Sequence, residues 1–178
     1  EGMFQGVNVS FNLGYWNVQN VLNMSYMFAN AVITSASAVT ALVLGGRNWN
    51  VTDLSYMFAG ASGSQITRAV EAITYTSTTG FDFSNVTTIK GLCQGTTGIT
   101  RIDFRAYFVN CIDWSFVFKD SSITTLAWYN HSQNIKGEDY TSFLEGCSSL
   151  TICSSVHMFS RYAGLTYPPV SYTHLRAH

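Results

Sequence analysis

NVTDLSYMFAGA, Asn50 to Ala61, recurs in altered form as MSYMFANA (Met24 to Ala31), IKGLCQGT (Ile89 to Thr96), WSFVFKDS (Trp114 to Ser121) and YTSFLEGC (Tyr140 to Cys147). With Phe28, Phe58, Cys93, Phe118 and Leu144 as the equivalent position, the intervals are 30, 35, 25 and 26 residues, and MFQG places Phe4 a further 24 upstream. A basic period near 25 with two longer intervals is the mark of a stacked repeat, in which each unit buries its apolar face only against its neighbours.

Within the clearest copy, Thr52 or Asp53 is a candidate N-cap and Gly60 a candidate left-handed terminator, so a short helix is expected between them. Leu54, Met57 and Phe58 fall at i, i+3 and i+4, on one helical face. The same spacing holds for Ile89, Leu92 and Cys93, for Trp114, Val117 and Phe118, and for Tyr140, Phe143 and Leu144. After each copy the period shortens. Val39, Leu42 and Leu44, then Ile99, Ile102 and Phe104, then Ile123, Leu126 and Trp128 follow an apolar-x-x-apolar-x-apolar spacing that predicts one short parallel strand per coil.

The expected architecture is an α/β repeat solenoid, leucine-rich-repeat-like, with one short strand and one short helical turn in each of about five to six coils. A pure parallel β-helix is the competing arrangement, since period alone does not separate a helical turn from a buried strand. The longer intervals place insertions around Ile33 to Ala38 and within Gly63 to Gly80, where TYTSTTG, Thr74 to Gly80, reads as a loop or extra hairpin. Residues 1–160 are assigned to the repeat, 161–170 to a linker or degenerate end, and SYTHLRAH, 171–178, to a non-native tail.

NVTDLSYMFAGA, FSNVTTIKGLCQGT and FLEGCSSLT resemble the repeats of BspA-type leucine-rich-repeat surface proteins, whose unit of about 26 residues joins a strand to an NVTDMSxMFxGCSSL-like turn. GYWNVQNVLNMSYMF, Gly14 to Phe28, is similar to that junction, and the resemblance spans roughly residues 3 to 153. Cys93 and Trp114 depart from the usual Phe and Met, and Thr88 stands where Asp53 stands in the second copy. The resemblance implies an extracellular or cell-surface module for adhesion or for binding protein or glycan, and it brings no catalytic residues.

Charged residues make up 11% of the chain and the net charge is -1, so no basic field exists to draw nucleic acid. Polarity rests on Ser, Thr, Asn and Gly, which suit turns and β-rich surfaces. No apolar run approaches the length of a membrane span. The chain begins at Glu1 inside a repeat, so the true N-terminus and any export signal are expected to lie outside it.

Chemistry-bearing residues are few. Cys93, Cys111, Cys147 and Cys153 lack paired metal-ligand spacing, and Cys93 reads as a small buried hydrophobe in the Phe28 position. Cys147 and Cys153 are close enough in sequence to form a disulfide or to remain free. His131 sits in a polar loop and His157 in VHMF; neither has a converging partner set. Asp53, Asp113 and Asp139 read as caps or as a ladder for calcium, with the cap favoured because the third copy uses Thr88. Asn8, Asn23, Asn50, Asn85 and Asn130 head sequons, two of them within the repeat, where Asn can satisfy turn backbone. No cofactor, metal or catalytic residue is assigned. Tyr15, Tyr75, Tyr107 and Tyr129 are the candidate ligand contacts, whereas the equivalent Tyr26 and Tyr56 read as packing on each other. The alternatives to a binding module are a carbohydrate-active parallel β-helix enzyme, for which only Glu71 and Asp82 are available in the second insertion, and a structural spacer.

Overall fold

The computed structural model describes residues 2–11, 17–35, 50–74, 83–104, 108–128 and 137–153. In chain order the elements are β1 (Asn8–Val9), β2 (Val32–Ile33), α1 (Ile66–Thr74), β3 (Arg101–Phe104), β4 (Thr125–Trp128) and β5 (Ile152–Cys153). The strands are short and parallel: β1 pairs with β2, with Val9 opposite Ile33, and β3, β4 and β5 form a second sheet with Ile102 opposite Leu126 and Phe104 opposite Trp128.

The repeated SYMF unit is not a helix, and the short helix expected from its capping and i, i+3, i+4 pattern is corrected here. In the second copy Met57, Ala59 and Ala61 donate their N–H groups to the carbonyls of Leu54, Tyr56 and Phe58, each three residues back. These are overlapping tight turns. Tyr56 and Gly60 have positive φ (56° and 66°), as do Tyr26 and Asn30 in the first copy, and a right-handed helix cannot pass through such residues.

Backbone accounting explains why turns win. An isolated helix of this length would leave its first four N–H groups without partners. Here Leu54, Tyr56, Phe58 and Gly60 donate to Thr88, Lys90, Leu92 and Gln94 of the following copy, and Ser55 N–H goes to the Asp53 carboxylate at 2.7 Å. Every N–H from Leu54 to Ala61 is therefore satisfied. The same ladder runs from Gly2, Phe4 and Gly6 onto Ser25, Met27 and Ala29, and continues to Trp114, Phe116, Phe118 and Asp120 on Asp139, Thr141, Phe143 and Glu145.

Successive copies also align through isolated parallel bridges, Asn23 to Asp53, Asp53 to Thr88, Thr88 to Asp113 and Asp113 to Asp139. At each of these positions the side chain accepts from the backbone N–H two residues on: Ser25, Ser55, Lys90, Ser115 and Thr141 in turn. The cap reading of the aspartates thus has its backbone partner, although what is capped is a turn.

Side chains of equivalent residues stack into columns. Phe4, Phe28 and Phe58 lie nearly parallel with centroids 5.6 Å apart, and Trp114 stacks on Tyr140 at 5.8 Å. Phe28, Leu54, Met57, Phe58, Ile89, Leu92, Cys93, Trp114, Val117, Phe118, Phe143 and Leu144 are all buried. Trp114 keeps its indole N–H satisfied on Cys111 O at 3.0 Å. Phe118 meets Phe143 edge-on at 5.5 Å.

Among the described residues the strand face is interrupted between β2 and β3. There the Gly63 to Gly80 insertion supplies α1, which packs on both strands and buries Ile66, Ala69, Val70 and Ile73. Gly63 begins the insertion hard against the Ile33 backbone, where a Cβ has no room. Thr67 Oγ1 then accepts from Thr100 N–H at 3.2 Å, joining α1 to the approach of β3. Of Thr74 to Gly80, expected to form a loop or hairpin, Thr74 is instead the last residue of α1, and residues 75–80 lie outside the described residues, as do the Val39, Leu42 and Leu44 strand and residues 36–38 of the first insertion.

Candidate functional site

The four tyrosines expected to contact a ligand, Tyr15, Tyr75, Tyr107 and Tyr129, lie outside the described residues, as do His131, His157 and Asp82. The described tyrosines nearest to a binding feature are Tyr26 and Tyr56. Their rings stack at 5.0 Å with an interplanar angle of 15°, on the outer side of the turn ridge. Tyr26 remains 37% exposed.

Beside these rings runs a groove of about 510 Å³. Ala29, Ala59, Gly60 and Gly95 line it, and Gln5, Asn30, Gln94 and Asp120 contribute polar groups. The repeat builds it residue by residue. Turn positions with positive φ form one column of Tyr26, Tyr56, Gly91 and Phe116 and another of Asn30, Gly60, Gly95 and Asp120, and the groove's lining draws on both columns and on Ala29, Ala59 and Gln94.

The second column also decides its own composition. A Cβ on Gly60 would overlap Asn30 Oδ1, and one on Gly146 would overlap Asp120 Oδ1, so each amide or carboxylate leans over a glycine in the following copy. Sequence reasoning passed over Asn30, Gln94 and Asp120. The available signal was the recurrence of Asn, Gly and Asp two residues beyond Phe28, Phe58, Cys93 and Phe118, since these residues are the ones that tolerate the left-handed region.

Ionisable groups elsewhere are dispersed. Asp139 is held below the usual carboxylate range, first by the Thr141 backbone N–H and then by its hydroxyl. Glu71 on α1 is pushed up, chiefly by burial and then by the nearby Asp103, whose carboxylate is paired with Arg101 at 2.9 Å. Lys119 pairs with Glu145 at 2.6 Å, and the ammonium groups of Lys90 and Lys119 sit 5.5 and 5.8 Å from the Phe116 ring centre.

Cys93, Cys111 and Cys147 are free thiols. Burial raises all three, Cys111 to about 12, and Cys147 donates to Phe118 O within a buried column of small residues. Of the two states left open for Cys147 by the sequence, the free thiol is the one found. Among the described residues no group of three or more His, Cys, Asp or Glu side chains is placed to hold a metal ion. Nor is any helix among them long and apolar enough to cross a membrane.

Among the described residues the turn copies pair in parallel, each with the next, beside a polar groove edged by Tyr26 and Tyr56. The chain belongs to the family described as "Mycoplasma protein of unknown function, DUF285", whose model matches residues 1–122 of the 178. No curated protein and no solved structure matches it.

Proposed function

We propose that this chain is a stretch of a repeat solenoid of the leucine-rich-repeat kind, with tight turns where helical turns were expected, and that it works as a non-enzymatic binding module at a cell surface or in the extracellular space. The observation that carries the proposal is repetition of one backbone pairing scheme from Gly2 to Glu145, which presents equivalent side chains in rows along the stack. Such rows suit an extended partner, protein or glycan, because a contact made at one copy can be made again at the next. The resemblance of NVTDLSYMFAGA and FLEGCSSLT to BspA-type surface repeats supports the compartment and the adhesive role.

An array of matrix proteins and glycans probed with the folded 178-residue chain tests this reading. Saturable, dose-dependent binding to at least one class is expected, and no binding to any of them would overturn it. The enzyme alternative has one supporting feature, the proximity of Glu71 to Asp103. Release of reducing ends from a polysaccharide panel would establish that alternative in its place.

A further inference from the structure

We infer that the groove on the turn ridge is a binding site for a neutral, linear oligosaccharide, held against the free side of Tyr26 and by the amides of Gln5, Asn30 and Gln94. This deepens the proposed binding role and rests on it. The first observation is what the backbone asks for. The column Gly2, Tyr26, Tyr56, Gly91, Phe116 and Ser142 has φ between 54° and 64° throughout, and glycine meets that demand in two copies without strain. An aromatic ring at Tyr26 and Tyr56 is therefore present for its side chain and not for the turn.

The second observation is which ring surface is left over. Tyr56 is covered by Tyr26 on one side and lies across Gly91 on the other. Among the described residues Tyr26 has a ring on its Tyr56 side, and the equivalent position of the preceding copy is Gly2, where a Cβ would lie 3.1 Å from the Gln5 amide oxygen. An aromatic surface with an amide at its rim suits a pyranose, whose axial C–H groups are apolar and whose hydroxyls both donate and accept.

The third observation is charge. The groove's lining carries one carboxylate, Asp120, and no Lys or Arg, and the neighbouring Lys119 is paired with Glu145 at 2.6 Å, so an anionic ligand finds little cationic support there. A purely apolar ligand would strand the Gln and Asn amides. The volume lies within the range of small-ligand sites, and the groove follows the stacking direction past several copies, as a linear oligomer requires.

The test uses the full 178-residue chain against neutral tetra- to hexasaccharides of glucose and N-acetylglucosamine, sulfated glycans and matrix proteins, on an array and by calorimetry. Tyr26→Gly and Asn30→Gly remove the ring and the amide while giving the backbone the residue that suits its positive φ, and circular dichroism checks that each still folds. Thr151→Ala, on the strand side, is the control. Expected is binding of a neutral oligosaccharide that falls by about tenfold or more in each glycine variant and is unchanged in the control. Neutral-glycan binding that survives both variants overturns the site. Binding of sulfated glycans alone overturns the ligand class. Binding of matrix proteins alone overturns this inference and leaves the surface-module reading standing, and binding of nothing overturns both.

Discussion

Gly91 and Gly95 provide a matched pair for measuring how tightly one copy is fitted to the last. Both have positive φ, 59° and 64°, so alanine pays the same backbone penalty at either. That penalty is about 1–2 kcal/mol for the left-handed region, offset by roughly 0.4–1 kcal/mol from the stiffer unfolded chain. The surroundings differ. A Cβ at Gly95 meets nothing closer than Gly60 N at 3.9 Å, whereas a Cβ at Gly91 would overlap Cδ1 and Cε1 of the Tyr56 ring. That ring has little freedom to retreat, being stacked on Tyr26. Overpacking of this kind costs about 1–3 kcal/mol. Gly95→Ala should therefore destabilise by about 0.5–1.5 kcal/mol and Gly91→Ala by about 2–4 kcal/mol. Urea unfolding followed by far-ultraviolet circular dichroism reads both, with unchanged m values. In a Tyr56→Gly background the two alanines should become equal, since the obstructing ring is gone. Equal costs in the wild-type background, or a gap that persists without the ring, would refute the proposed stacking of Tyr56 over Gly91.

Phe58→Ala, at a fully buried ring stacked on Phe28, should cost about 3–5 kcal/mol, and an unchanged melting temperature would sink the column it is assigned to. Glu71 has a raised pKa, so the folded state holds its proton more tightly than the unfolded chain; stability is unpenalised below the unfolded value and falls as pH rises through the folded one. Glu71→Gln should accordingly stabilise at pH 7 and have little effect near pH 3, and a stabilisation independent of pH would show that the charge is not the cause. The Cys111 thiol, pushed up to about 12 by burial, should resist alkylation at pH 8 in the native protein and react once urea unfolds it, as read by mass spectrometry of the labelled peptide.

Much of the stacking register was legible as spacing. Phe28, Phe58, Cys93, Phe118 and Leu144 were aligned by interval alone, and the backbone at each of the first four donates to the copy that follows. The position of Asp53, Thr88, Asp113 and Asp139 was legible too, together with the side-chain-to-backbone role that a short acceptor can play. Helix α1 carries the i, i+3, i+4, i+7 pattern in Ile66, Ala69, Val70 and Ile73, but it lies inside an insertion that breaks the period of the repeat, so alignment of the copies does not reveal it.

Sequence by itself determined the interval between equivalent residues and the inward turn of Phe28, Leu54, Met57, Phe58, Ile89, Leu92 and Cys93, because burial of a repeated apolar set depends mainly on local spacing. Whether each SYMF unit coils as a helix or folds as tight turns was decided by tertiary structure. Leu54, Met57 and Phe58 share a face in a helix and are buried equally well by the turns, so apolar period does not separate the two. What separates them is where alternate N–H groups find acceptors, and for Leu54, Tyr56, Phe58 and Gly60 those acceptors belong to residues about 34 positions away. The groove has the same origin: Tyr26, Asn30, Gln94 and Asp120 meet along one channel only after four separate copies have been stacked.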